Sequence, residues 1–224
     1  MNGQRNGYGK EYDYNGKLIF EGEYKYGRRW NGKGYNGLNN IVYELKNGNG
    51  KIKEYNYLTL IFEGDYLNGE KNGYGKQYNY SGKLEYEGEY LNGVRNGKGK
   101  EYYEDGKLKF EGEYLYYFRL KGIAYVQGRK EYEGEYLCTK KWNGKGYNEN
   151  GVIIYELNNG NGKVKEYNYI GTLKFEGEYL NGKRNGKGKE YNYKGSIKFE
   201  GEYLNGKRNG KGKEYDYIGT LKFE

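Results

Sequence analysis

The chain of 224 residues contains 41 Gly and 33 Tyr, no Pro, no His and a single Cys, and only 34% of it is hydrophobic. Those numbers exclude His-based triads, His-bearing zinc sites and an intrachain disulfide, and they leave too little Leu, Ile, Val and Phe for a wide globular core. An aromatic content of 19% is nevertheless too high for a disordered chain, and the net charge of +8 supports solubility and favours anionic partners without naming one.

The opening "MNGQRNGYGK" lacks the apolar segment of a signal peptide, and no stretch approaches the roughly 18 apolar residues of a membrane span. A cytoplasmic protein is therefore expected. From Phe20 onward the chain is periodic. The phrase Glu-Gly-Glu or Glu-Gly-Asp recurs with its glycine at Gly22, Gly64, Gly88, Gly112, Gly134, Gly177 and Gly201. Most spacings are near 24 residues, the mark of a repeat array. The two double-length gaps hold shortened units at about 42–55 ("VYELKNGNGKIKEY") and 154–167 ("IYELNNGNGKVKEY"). The reading is one array over residues 1–224, of about nine units. A longer duplication overlies it, because "RRWNGKGYN" at Arg28 returns as "KKWNGKGYN" at Lys140.

Within a unit, "LKFEGEYL" (Leu173 to Leu180) alternates apolar or small with charged residues, the period of a half-buried strand. "NGKRNG" (Asn181 to Gly186) reads as the hairpin connection, with two Asn-Gly pairs, and "KGKEYNY" as the return strand. The strand glycines, Gly177 above all, are read as places where an aromatic ring from a neighbouring strand lies over bare backbone; the alternative is a ligand approaching it. Sequential hairpins of this kind are expected to pair into one long ribbon of roughly 85 Å. The fold class is all-β: an elongated single-layer antiparallel sheet of stacked hairpins. Residues 114–132 break the pattern by losing the Asn-Gly turn and gaining Phe118, Leu120, Ile123 and Val126. A bend or altered loop is expected there, with those four residues as a candidate partner patch or as a patch folded over the sheet. The chain starts in mid-unit and stops one strand into a further unit, so unpaired terminal strands are expected to associate, as a homodimer through two C-terminal strands or as a filament through N-to-C contacts.

The run "FEGEYLNGKRNGKGKEY" (Phe175 to Tyr191, again from Phe199 to Tyr215) resembles the MORN repeat. Phe175, Gly177, Tyr179, Gly182, Gly186 and Gly188 fall on the family's positions, as do Phe199, Gly201, Tyr203, Gly206, Gly210 and Gly212; Tyr stands where the family commonly has Trp. The resemblance implies a sheet of stacked hairpins and a scaffolding or dimerising role, often near membranes or the cytoskeleton. It also implies phospholipid binding as proposed for several members.

No catalytic, metal or cofactor site is expected. Cys138 lies beside Lys140 and Lys141 but has no imidazole base, and paired glutamates such as Glu176 and Glu178 recur as a solvated face. "GKRNGKGK" lacks the phosphate-loop frame. Basic residues cluster around the turns: Lys183, Arg184, Lys187 and Lys189, then Lys207, Arg208, Lys211 and Lys213, with Arg95, Lys98 and Lys100 earlier. Stacked, they would draw a stripe attractive to anionic lipid. Nucleic acid ranks lower, since packing uses most of the tyrosines and Glu interrupts the charge. The expected function is a non-catalytic scaffold for unidentified protein partners and for self-association, with peripheral membrane binding as the alternative.

Overall fold

The computed structural model describes residues 3–224, and every regular element among them is a β-strand. The chain forms two compact units, Met1–Gly106 with Tyr114–Tyr117, and Lys107–Glu113 with Phe118–Glu224. The first contains β1 (Gly7–Tyr12), β2 (Leu18–Lys25), β3 (Arg28–Tyr35), β4 (Ile41–Leu45), β5 (Gly50–Asn56), β6 (Thr59–Leu67), β7 (Glu70–Tyr78), β8 (Leu84–Leu91) and β9 (Val94–Tyr102). β10 (Leu108–Leu115) contributes its last two residues to the first unit and the others to the second. The second continues with β11 (Phe118–Val126), β12 (Arg129–Leu137), β13 (Lys140–Tyr147), β14 (Ile153–Leu157), β15 (Gly162–Tyr167), β16 (Leu173–Leu180), β17 (Lys183–Tyr191), β18 (Ile197–Leu204), β19 (Lys207–Tyr215) and β20 (Leu221–Phe223).

The alternation of β16 becomes two faces: Phe175 is buried while Lys174 and Glu178 are exposed. β16 turns into β17 through Asn181 and Gly182 alone, with φ of 52° and 69°. Positive φ at both central residues is the type I′ geometry whose twist matches that of paired strands. The second Asn-Gly is not part of the turn. Gly177 pairs with Gly188 and Tyr179 with Arg184, so Glu178 faces an excess of residues on β17. Gly186 absorbs the surplus as a β-bulge at φ 73°, a conformation glycine adopts without steric cost. The six-residue connection expected from "NGKRNG" is thus corrected to a two-residue turn followed by a bulge. β17 joins β18 through a second connection, in which Asn192 Oδ1 accepts from the backbone N–H of Lys194 at 2.9 Å and of Ser196 at 3.1 Å.

Within each unit, consecutive strands pair antiparallel, but the ladder stops at the shortened repeat. β4 pairs with β3 and β5 with β6, with no ladder from β4 to β5; β14 and β15 repeat the break. Uninterrupted pairing is therefore corrected at these two places. Losing residues from mid-repeat leaves β4 and β14 only five residues long, each closed on its successor by one isolated bridge, Lys46 to Asn49 and Asn158 to Asn161. Aliphatic side chains replace the missing pairing. Leu45 and Ile52 are buried with Phe20, Tyr24 and Tyr43, and Leu157 and Val164 are buried at the equivalent break. Turns are also stitched to the preceding hairpin. Gly93 N–H donates to Lys71 O and Gly206 N–H to Arg184 O, both at 2.8 Å.

Candidate interaction surfaces

One sheet face is built from a repeated aromatic, cation and carboxylate. A Cβ on Gly177 would stand 2.8 Å from the Phe175 ring and 2.6 Å from Gly188 Cα. The bare backbone is therefore covered by the ring two residues earlier on the same strand, not first by a ring from a neighbouring strand. Tyr203 meets Phe175 edge-on at 5.3 Å, and the Arg184 guanidinium lies 4.0 Å from the ring centroid, an arrangement favoured by the ring quadrupole. Arg184 also pairs with Glu166 at 2.9 Å and Glu190 at 3.1 Å, and Tyr179 donates to Glu166 at 2.5 Å. Burial pushes the Glu166 carboxyl up, but Arg184 and the Tyr179 hydroxyl outweigh it and hold the group below its ordinary value. The same construction joins Arg29, Tyr24 and Glu11.

The opposite face carries cross-strand charge pairs. Lys165 meets Glu176 at 3.5 Å, Lys189 meets Glu200 at 3.4 Å and Lys213 meets Glu224 at 3.1 Å. Tyr191 and Tyr215 donate to Glu176 and Glu200 at 2.6 and 2.7 Å. They reach this face through the register shift between Glu190 and Tyr191, repeated at Tyr215.

These two faces divide the residues picked out as a basic stripe. Arg184 and Arg208 lie over Phe175 and Phe199 on the aromatic face, and Arg95 lies 4.2 Å from the Tyr86 ring with Gln77 as acceptor at 3.3 Å. Lys189 and Lys213 are in ion pairs, and Lys100 stands opposite Glu87. Lys98 is in β9, Lys183 and Lys207 begin β17 and β19, and Lys187 and Lys211 are exposed on the charged face. The structure does not gather the set into one edge. The cause is the strand boundary: β17 starts at Lys183, so alternation sends its cations to opposite faces.

Phe118 and Leu120 are exposed, at 50% and 44%, whereas Ile123 and Val126 are half-buried. The expected altered loop is absent. Tyr116 and Tyr117, at φ 47° and 72°, adopt the same two-residue turn as Asn-Gly, and β11 pairs with β12 through the usual shift, here between Ala124 and Tyr125. The departure is instead a substitution the sequence reading missed. Ala124 occupies the place of Glu190, and Glu131 comes from the bulge to bind Lys141. The nearby Tyr136 hydroxyl is buried without a hydrogen-bond partner. Alignment of "KGIAY" with "KGKEY" carried the signal for the lost carboxylate.

On the charged face of β15–β20 lies a groove of about 1140 Å³. Its floor is the glycine row Gly177, Gly188, Gly201 and Gly212, and its walls are the Lys and Glu side chains on either side. A smaller cleft of about 290 Å³ reaches Val126, Glu131 and Tyr147. Among the described residues, no group of three or more His, Cys, Asp or Glu could hold a metal ion, and no helix is long and apolar enough to cross a membrane.

The MORN repeat family matches residues 1–17, 62–83, 86–107, 175–197 and 199–221. No curated protein matches the chain. In the matched stretches from 175 and from 199, the Phe175 and Phe199 rings close over the paired glycines Gly177 with Gly188 and Gly201 with Gly212. With the repeat recognised at five places and the hairpins that it specifies in the structure, the chain carries MORN repeats at several positions along its length.

Proposed function

We propose that this chain is a non-catalytic scaffold whose outer surfaces engage protein partners and a second copy of itself. The observation that supports this is the use of its chemistry-bearing groups. The carboxylates and cations with strongly altered surroundings, such as Glu166 and Arg184, bind one another and the aromatic stack. Apolar side chains, meanwhile, recur on the surface: Leu137, Leu180 and Leu204 are each about half-exposed at the end of a strand. Multi-angle light scattering over a concentration series tests self-association. A dimer growing in with concentration supports the reading, and a strict monomer at the highest soluble concentration removes the self-association part.

Peripheral attachment to anionic membrane is the second reading, and it is favoured by residues other than those the sequence singled out. Lys174, Lys194, Lys198 and Lys222 are exposed and in no ion pair, in the same repeats as the exposed Tyr169, Tyr193 and Tyr217. Aromatic rings with lysines suit a headgroup layer, each lysine contributing up to about 1 kcal/mol near an anionic surface. Pelleting with anionic against neutral liposomes tests it: equal pelleting, or pelleting unchanged when these lysines become Gln, rejects this surface. A cytoplasmic location, at the membrane periphery or cytoskeleton, would accord with either reading.

A further inference from the structure

We propose that the groove on the charged face of β15–β20 docks a polyproline-type segment bearing a carboxylate at every third residue. This names the chemistry of one partner and rests on the scaffold reading. Lys163, Lys187 and Lys211 hold the same place in three successive hairpins and line one wall of the groove. All three are exposed, and none is in an ion pair. The acids of their row are occupied elsewhere. Glu178 and Glu202 fold back against Gly186 and Gly210, where a Cβ would collide with their carboxylate oxygens, and Glu202 accepts the Lys211 backbone N–H at 3.2 Å. The other wall is neutralised by the pairs at Glu176, Glu200 and Glu224. The groove therefore presents three lysines outside any ion pair in a line, with Glu178 and Glu202 between them on the intervening strands.

Their spacing selects the ligand. Equivalent residues two strands apart are separated by about 9.6 Å, twice the inter-strand distance. A polyproline II helix advances about 9.3 Å per three residues, so a carboxylate at each third position keeps step with all three lysines. A β-strand presents same-face side chains at about 6.8 Å and falls out of step by the second lysine. Polyproline also requires no backbone partner. That matters here, because the floor glycines already lie in paired ladders, Gly177 with Gly188, Gly188 with Gly201 and Gly201 with Gly212.

The full chain is titrated against a dye-labelled peptide of about six Pro-Pro-Glu triplets and followed by fluorescence anisotropy. A Pro-Pro-Pro-Glu peptide with the same number of glutamates serves as the comparison. Saturable binding is expected, weaker by about tenfold or more for the four-residue period and for the Lys163→Gln, Lys187→Gln, Lys211→Gln variant. Circular dichroism confirms that the variant remains folded; if it does not, Lys187→Gln alone is expected to weaken binding about threefold. Absence of binding, equal binding of the two periods, or full binding by a folded variant overturns the proposal. None of those results touches the light-scattering outcome, so the scaffold reading fails or stands separately.

Discussion

Ala124 shows how much one residue of the repeat carries. In most regular units the carboxylate of one repeat receives the tyrosine and the cation of the next, as Glu166 receives Tyr179 and Arg184. Beside Glu190 only Arg208 does so, and the Tyr203 hydroxyl is buried without a partner. With Ala at that place, Lys141 takes Glu131 and the Tyr136 hydroxyl goes without an acceptor. Gln77 is an intermediate case. It accepts from Arg95 through a neutral amide, and Arg95 Nε is left buried without a partner. Glu131→Ala is therefore expected to destabilise by about 2–3 kcal/mol, below the full penalty of a buried pair because the Lys141 side chain keeps 22% exposure. Combining Ala124→Glu with Glu131→Lys restores the arrangement of the other repeats and should recover most of that loss. Urea denaturation of the two single variants and the double variant checks it. Simple additivity of the singles would show that the two positions are not coupled.

At the scale of the element, the two-residue turn outlives its sequence signature. Cys138 and Thr139 adopt φ of 47° and 72°, as Asn181 and Gly182 do, although a β-branched residue is poorly suited to that conformation. Thr139→Gly is expected to raise stability by about 0.5–1 kcal/mol. Relief of left-handed strain is worth roughly 1–2 kcal/mol, partly offset by the greater freedom of glycine in the unfolded chain. A higher urea midpoint at unchanged slope is the sign to look for, and an unmoved midpoint would mean that the turn stores no strain. The strand pattern from Leu173 to Leu180 and the Asn181-Gly182 turn were both legible in the sequence. The role of Asn185-Gly186 was not, because a type I′ turn and a β-bulge make the same local demand, a glycine at positive φ. Only the pairing of Gly177 with Gly188 separates them, and pairing is not local. That one ambiguity moved the apparent start of β17, and with it placed Arg184 at a turn instead of over Phe175. The ladder breaks were hidden for a related reason. "KNGNGK" reads as a shortened hairpin, and nothing in it says that β4 and β5 part company.

For the whole molecule, both compact units rest on the same chemistry, tyrosines and arginines folded onto glutamates, and this sets limits on pH from both sides. On the acid side, burial alone would raise Glu11 and Glu190, but Arg29 and Arg208 with neighbouring donors hold both carboxyls below their ordinary value, and Glu166 behaves alike. A depressed folded pKa contributes stability that is present above the unfolded value, about 4.3, and is lost as pH falls through the folded one. On the alkaline side, burial pushes Tyr24, Tyr43, Tyr90 and Tyr132 up to about 12. A raised folded pKa has the opposite consequence: its contribution is complete below the unfolded value, about 10, and is lost as pH climbs toward the folded one. With no His in the chain, no imidazole titrates between these limits. Melting temperature should therefore form a plateau from about pH 5 to about pH 9 and fall on both sides. Tyrosinate absorbance distinguishes this from generic charge repulsion. The buried rings, Tyr24, Tyr43, Tyr90 and Tyr132, are expected to ionise together with unfolding. A single early titration of all tyrosines in a chain that stays folded would show that these rings are not held in the aromatic face as described.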